Sequence, residues 1–92
     1  MRKLKQRRKN DALLSLGEAV RNRRVDLLLT QEQVAENAEL HRTYVTDIEG
    51  GLRNLSFLTL LRLARALRCP LSKIIIDTEQ LNGNGNKAHT ED

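Results

Sequence analysis

Thr30-Gln31-Glu32-Gln33-Val34-Ala35-Glu36-Asn37-Ala38-Glu39-Leu40-His41-Arg42-Thr43-Tyr44-Val45-Thr46-Asp47-Ile48-Glu49 is the stretch on which the fold turns. It opens as a capping box: the threonine oxygen and the glutamine amide three residues on satisfy each other's orphan backbone donors, so a helix starts here. Val34, Ala35 and Ala38 form its inner face, and Ala35 is small enough for another helix to cross closely. After Glu39 the chain resumes a helical phase with Val45 and Ile48 inward, and Leu40 plugs the turn between. Counting Gln31 as position one, the fourth, fifth, eighth, tenth, fifteenth and eighteenth residues are all apolar, which suits two helices crossing steeply over a tiny core. At about 100° per residue Thr43 then points almost directly outward, with Thr46 and Asp47 about 50° to either side.

The flanks continue the pattern. Upstream, residues 11–25 place Leu13, Leu16, Gly17, Val20 and Arg24 at spacings of three and four, a helix with one inward face that ends at Leu27 to Leu29. Downstream, Gly50-Gly51 is a C-cap pair, Leu52-Arg53-Asn54-Leu55 is a loop, and Ser56 is an N-cap. A helix from Phe57 to about Arg68 follows. Its expected inner positions are Phe57, Leu60, Leu61, Ala64 and Leu67, with Thr59, Arg62, Arg65 and Arg68 as a polar stripe. Pro70 breaks the chain, and Leu71 to about Asp77 predicts a short fifth helix. The expected architecture is all-α, with five helices in one domain over residues 11–80. A basic flexible tail over 1–10 and a disordered polar tail over 81–92 flank it.

Composition narrows the function. Ninety-two residues make room for one small domain. Tyr44 and Phe57 are the only aromatics, so Leu, Val, Ile and Ala must build the core. The net charge of +4 is unevenly spread: residues 1–10 carry +6, residues 11–76 carry +1 and residues 77–92 carry −3. An excess of cations favours a polyanionic partner. A single cysteine, Cys69, cannot form an internal disulfide, which predicts a cytoplasmic protein and makes Cys69 a packing residue. No metal or cofactor is expected, since Cys69 has no neighbouring cysteine and His41 and His89 stand far apart. No apolar run approaches the roughly 18 residues of a membrane span. The basic start does not continue into a signal-peptide core, because Ser15 and Glu18 interrupt the apolar residues. With no nucleophile and base at a working spacing, no phosphate-cradling glycine loop and no paired acids, enzyme activity is not expected, nor is a small-molecule ligand.

The two helices and their turn are the arrangement of a helix-turn-helix. Leu16-Gly17, Arg24, Thr30-Gln31-Glu32-Gln33-Val34-Ala35, Tyr44-Val45, Ile48-Glu49 and Arg53-Asn54 together resemble the lambda-repressor-like, or XRE-type, DNA-binding domain over roughly residues 13–76. The resemblance implies a five-helix fold, operator DNA as ligand and a symmetric dimer. It also implies an ion pair between Arg24 and Glu49 across the first and third helices. Leu40-His41-Arg42-Thr43-Tyr44-Val45 with Arg53-Asn54-Leu55-Ser56 is similar to the controller proteins of restriction-modification systems. Glu39, Gly50 and Leu55 depart from the usual glycine, basic residue and proline at their positions.

A helix in the major groove reads bases with its outer face and N-terminal end, which here present His41, Arg42, Thr43, Thr46 and Asp47. Arg42 can donate twice to guanine, and Thr43 offers a hydroxyl and a methyl. Asp47 fits three roles: accepting from cytosine, repelling phosphate, or facing water. Gln31, at a helix N-terminus with a positive dipole, is expected to bind phosphate with help from Tyr44, Arg53 and Asn54. One recognition helix reads only a few base pairs, so a second half-site about 34 Å away, and hence a homodimer, is expected. Leu71, Ile74, Ile75 and Ile76 exceed what a short helix buries on one side and are the expected interface.

The sequence thus predicts a sequence-specific transcription regulator on a two-fold double-stranded operator, of the autoregulatory controller kind. Two other functions fit parts of the chain. An antitoxin that silences a toxin protein and represses its own operon calls for a free segment of mixed apolar and acidic character, but residues 77–92 hold only Leu81 and Ala88 as apolar residues. Non-specific nucleic-acid binding led by the basic tail would, for RNA, want stacking aromatics that are not placed for it.

Overall fold

The computed structural model describes residues 10–83; the expected tails fall almost wholly on 1–9 and 84–92, outside the described residues. Five helices follow in order: α1 (Asp11–Asp26), α2 (Gln31–Ala38), α3 (Arg42–Glu49), α4 (Phe57–Ala66) and α5 (Leu71–Leu81). The regular structure of the described residues is all helical, as the sequence predicts.

Local chemistry sets the helix starts. Asn10 Oδ1 accepts from the Ala12 and Leu13 amides at 2.8 and 3.2 Å and opens α1. The capping box of α2 is closed in both directions: Gln33 N donates to Thr30 Oγ1 at 3.0 Å, and Thr30 N to Gln33 Oε1 at 2.9 Å. Ser56 Oγ accepts from Thr59 N at 3.1 Å and opens α4.

The first four helices end in one way. An amide reaches back five residues at each end: Leu29 to the Arg24 carbonyl, Leu40 to Ala35, Leu52 to Asp47 and Cys69 to Ala64, at 2.8–3.1 Å. The residue before each donor is left-handed, with φ of +61° at Leu28, +60° at Glu39, +77° at Gly51 and +56° at Arg68. These are Schellman ends, and only one of the four uses the glycine that the conformation favours. At the α4 end, Arg23 of α1 donates to the Leu67 and Arg68 carbonyls at 2.9 and 3.0 Å, covering acceptors the helix leaves free.

The core gathers Val20, Val34, Val45, Ile48, Leu63, Leu67 and Ile74, all fully buried, around Leu16, Ala35, Ala38, Ala64 and Ala66. α1 runs against α5 and crosses α3, while α2 sits between α3 and α4. The α1–α3 crossing depends on Gly17, where a Cβ would overlap the Ile48 and Glu49 carbonyl oxygens. Gly51 is constrained twice, by its positive φ and by Leu14, whose Cα lies 3.0 Å from where a Cβ would stand.

Three expectations need correction. The inner face of α4 is Leu63, Ala64, Ala66 and Leu67, whereas Phe57 and Leu61 are 64% and 41% exposed. Apolar residues sit on two overlapping stripes of this helix, and packing against its neighbours selects the later one. α5 continues a full turn past Asp77 to Leu81, held by its packing on α1, by a Lys73–Asp77 pair at 2.9 Å and by Thr78 donating to the Ile74 carbonyl at 2.7 Å. Ile74 lies in this chain's own core at 2% exposure, so it is removed from the expected dimer interface.

Candidate nucleic-acid interface

α3 is anchored by Val45 and Ile48 and presents Arg42, Thr43 and Thr46 to solvent, with Asp47 half-buried at the edge. His41 holds the N-cap position with extended backbone, but its side chain makes no capping bond. The His41 carbonyl accepts from the Tyr44 and Val45 amides at 3.0 and 3.2 Å, so the amides its side chain leaves uncovered in the first turn are those of Arg42 and Thr43.

Behind this face lies a chain of polar contacts between α1, α2 and α3. Arg24 donates through Nε to Glu49 Oε2 at 2.6 Å and through Nη2 to Oε1 at 3.0 Å, a two-point ion pair with both side chains largely buried. Its Nη1 donates to the Leu29 carbonyl at 2.9 Å, fixing the segment between α1 and α2. The hydrogen bond to Glu49 raises the Arg24 pKa, burial opposes it, and the charge of Glu49 adds to the rise, so the arginine stays cationic. Glu49 Oε1 also accepts from Gln31 Nε2 at 3.0 Å, and Gln31 Oε1 accepts from Thr46 Oγ1 at 3.0 Å.

The Gln31 side chain is turned inward onto Glu49 and Thr46, while its backbone stands at the start of α2, where the sequence expectation places outward-facing amides. An open depression beside that start is lined by Arg24, Leu28, Leu29, Thr30, Gln31, Glu32 and Arg42. Tyr44, Arg53 and Asp47 form a second cluster. The Arg53 guanidinium lies 4.9 Å from the Tyr44 ring centroid, and its Nε is 3.3 Å from Asp47 Oδ2. The pair with Arg53 is a contact of Asp47 outside the three roles the sequence offered. Asn54 is exposed in the following loop.

Away from α3, Ile76 is 51% exposed, while Leu71 and Ile75 are half-buried. Phe57 and Leu61, expected inward, are exposed together with Leu58, which the double apolar stripe of α4 signals once both stripes are counted. Cys69 is partly buried against the core, and among the described residues no cluster of His, Cys, Asp or Glu is arranged to hold a metal. No helix among them is long and apolar enough to cross a membrane.

A crossed pair of short helices, the second exposing its polar N-terminal face, defines a helix-turn-helix module. A family model described as helix-turn-helix matches residues 20–74, and the chain belongs to that family of DNA-binding transcription regulators. Its relatives are more particular. Over 60 residues it is 43% identical to the control protein C.SmaI of Serratia marcescens, spanning 65% of this chain and 71% of that protein. Over 59 residues it is 39% identical to the control protein C.BamHI of Bacillus amyloliquefaciens, spanning 63% and 73%. The crystal structure of the restriction-modification controller protein C.AhdI from Aeromonas hydrophila superposes with a TM-score of 0.66 at 35% identity, over 67% of this chain and 94% of that one.

Proposed function

We propose that this regulator binds a two-fold symmetric operator as a homodimer, reading bases with α3, and that it controls a restriction-modification system and its own gene. The observation that carries the reading is the exposed Arg42-Thr43-Thr46 face on a helix tied rigidly to α1 through Arg24 and Glu49. Arg42 offers the two parallel donors that match guanine O6 and N7, and Thr43 offers a hydroxyl with a methyl for thymine. His41 at the N-cap reaches the same groove, and Asp47 takes part at its edge. The backbone at the start of α2, with Tyr44, Arg53 and Asn54, fixes the register on phosphates. The likeness to named control proteins supports the controller role. Ile76, with the half-buried Leu71 and Ile75, supplies the dimer contact. The cytoplasm, where operator DNA lies, is the expected location.

The test is a gel-shift titration on DNA from upstream of the gene against shuffled DNA of equal length, at several salt concentrations up to about 0.15 M. A preference on the order of a thousandfold is expected, with Arg42→Ala or Thr43→Ala each costing about 1–3 kcal/mol of operator binding. Equal binding to both DNAs, lost steeply with salt, would reject sequence reading by α3.

A further inference from the structure

The polar chain behind α3 has a direction. Glu49, held by Arg24, offers only lone pairs, so the Gln31 group facing it at 3.0 Å must be the amide NH2. The opposite flip would set a carbonyl oxygen against a carboxylate with no hydrogen between them. Gln31 Oε1 is therefore the atom turned to Thr46, where it accepts from Oγ1 at 3.0 Å. The Arg42 carbonyl, a second acceptor, lies 3.1 Å from the same hydroxyl. Both neighbours of the Thr46 hydroxyl are acceptors, and a hydroxyl carries one hydrogen. That hydrogen has an acceptor within the protein on either side, and with it so placed the hydroxyl presents lone pairs to solvent.

We propose that Thr46 is a specificity residue of fixed polarity: its hydroxyl accepts a hydrogen bond in the major groove and so selects a base bearing an exocyclic amine, cytosine or adenine, on the strand it faces. Guanine and thymine present acceptors at the corresponding edge, N7 and O6 or O4, and phosphate oxygens are also acceptors, so none of them satisfies the exposed lone pairs. The assignment rests on α3 being the reading helix. It goes further in stating which class of base one named side chain takes, and in deriving that choice from a buried carboxylate on the same helix. Gln31 and Glu49 act here as positioning residues whose side chains never touch the DNA.

Operator DNA in which single amino-bearing bases are replaced tests the assignment, with purine for adenine and pyrimidin-2-one for cytosine, each lacking the exocyclic amine. Binding of the full chain and of Thr46→Val, matched in shape and checked by thermal melting, is measured on each DNA. One position per half-site is expected where the analogue weakens the unmodified protein about 10-fold, and where it costs Thr46→Val nothing further. Coupling of Thr46→Val instead to 7-deazaguanine, which removes an acceptor, would overturn the assigned polarity. Coupling to no analogue, while the unmodified protein still prefers its operator, would overturn the role of Thr46 but leave reading by α3 standing. Loss of that preference itself would overturn both.

Discussion

Glu49 serves two functions with one carboxylate. Its two oxygens bind the Arg24 guanidinium, and one of them also takes the Gln31 amide, with its side chain 6% exposed. Breaking such a pair strands a buried charge, which costs about 3–5 kcal/mol. Glu49→Ala is expected to lower the melting temperature by roughly 10 °C or more in calorimetry, given about 4–8 °C per kcal/mol for a domain of this size. An unchanged transition would show that the pair carries no stability. The solvent-facing residues of α3 were legible from helical phase alone, because Val45 and Ile48 fix which way the helix faces. The inward turn of Gln31 was not: its partner lies 18 residues on, and capping rules describe backbone donors rather than side chains meeting across helices.

At the level of elements, the positions of α2 and α3 and the turn between them were legible, since a capping box and six spaced apolar residues specify both. The face of α4 was legible at Leu60, Ala64 and Leu67 but not at Leu63 and Ala66, and the length of α5 was not, because each is settled by what packs against the helix. The helix ends were half legible. Glycine marked the end of α3, while Leu28, Glu39 and Arg68 adopt the same left-handed geometry without the residue that announces it. A side chain in that region costs about 1–2 kcal/mol, and glycine gives back roughly half of this through its greater freedom in the unfolded chain. Glu39→Gly is therefore expected to stabilise the domain by about 0.5–1 kcal/mol. Urea unfolding should show a higher midpoint at unchanged slope, and a lower midpoint would mean that the Glu39 side chain contributes more than its backbone costs.

For the whole molecule, the proposed dimer needs a surface that would space two copies of α3 for one operator. With Ile74 committed to the core, the surface left for a twin chain on α5 is led by Ile76. Ile76→Asp leaves the core untouched and is expected to shift the chain to monomer in equilibrium sedimentation at micromolar concentration. Operator affinity should fall at least tenfold, while the melting curve extrapolated to low concentration stays in place. A dimer that persists in this variant would move the interface elsewhere, and the exposed Phe57, Leu58 and Leu61 of α4 would be next to alter.

The contact of Glu49 with both Arg24 and Gln31 also bears on genetics. One negative charge joins the first three helices, so its loss loosens the packing of the module and the aim of α3 together. Glu49→Gln keeps the shape and removes the charge, and it is therefore the natural choice for a heat-sensitive allele. Such an allele would hold its operator in the cold and release it on warming, so the timing of regulation could be followed in living cells without deleting the gene.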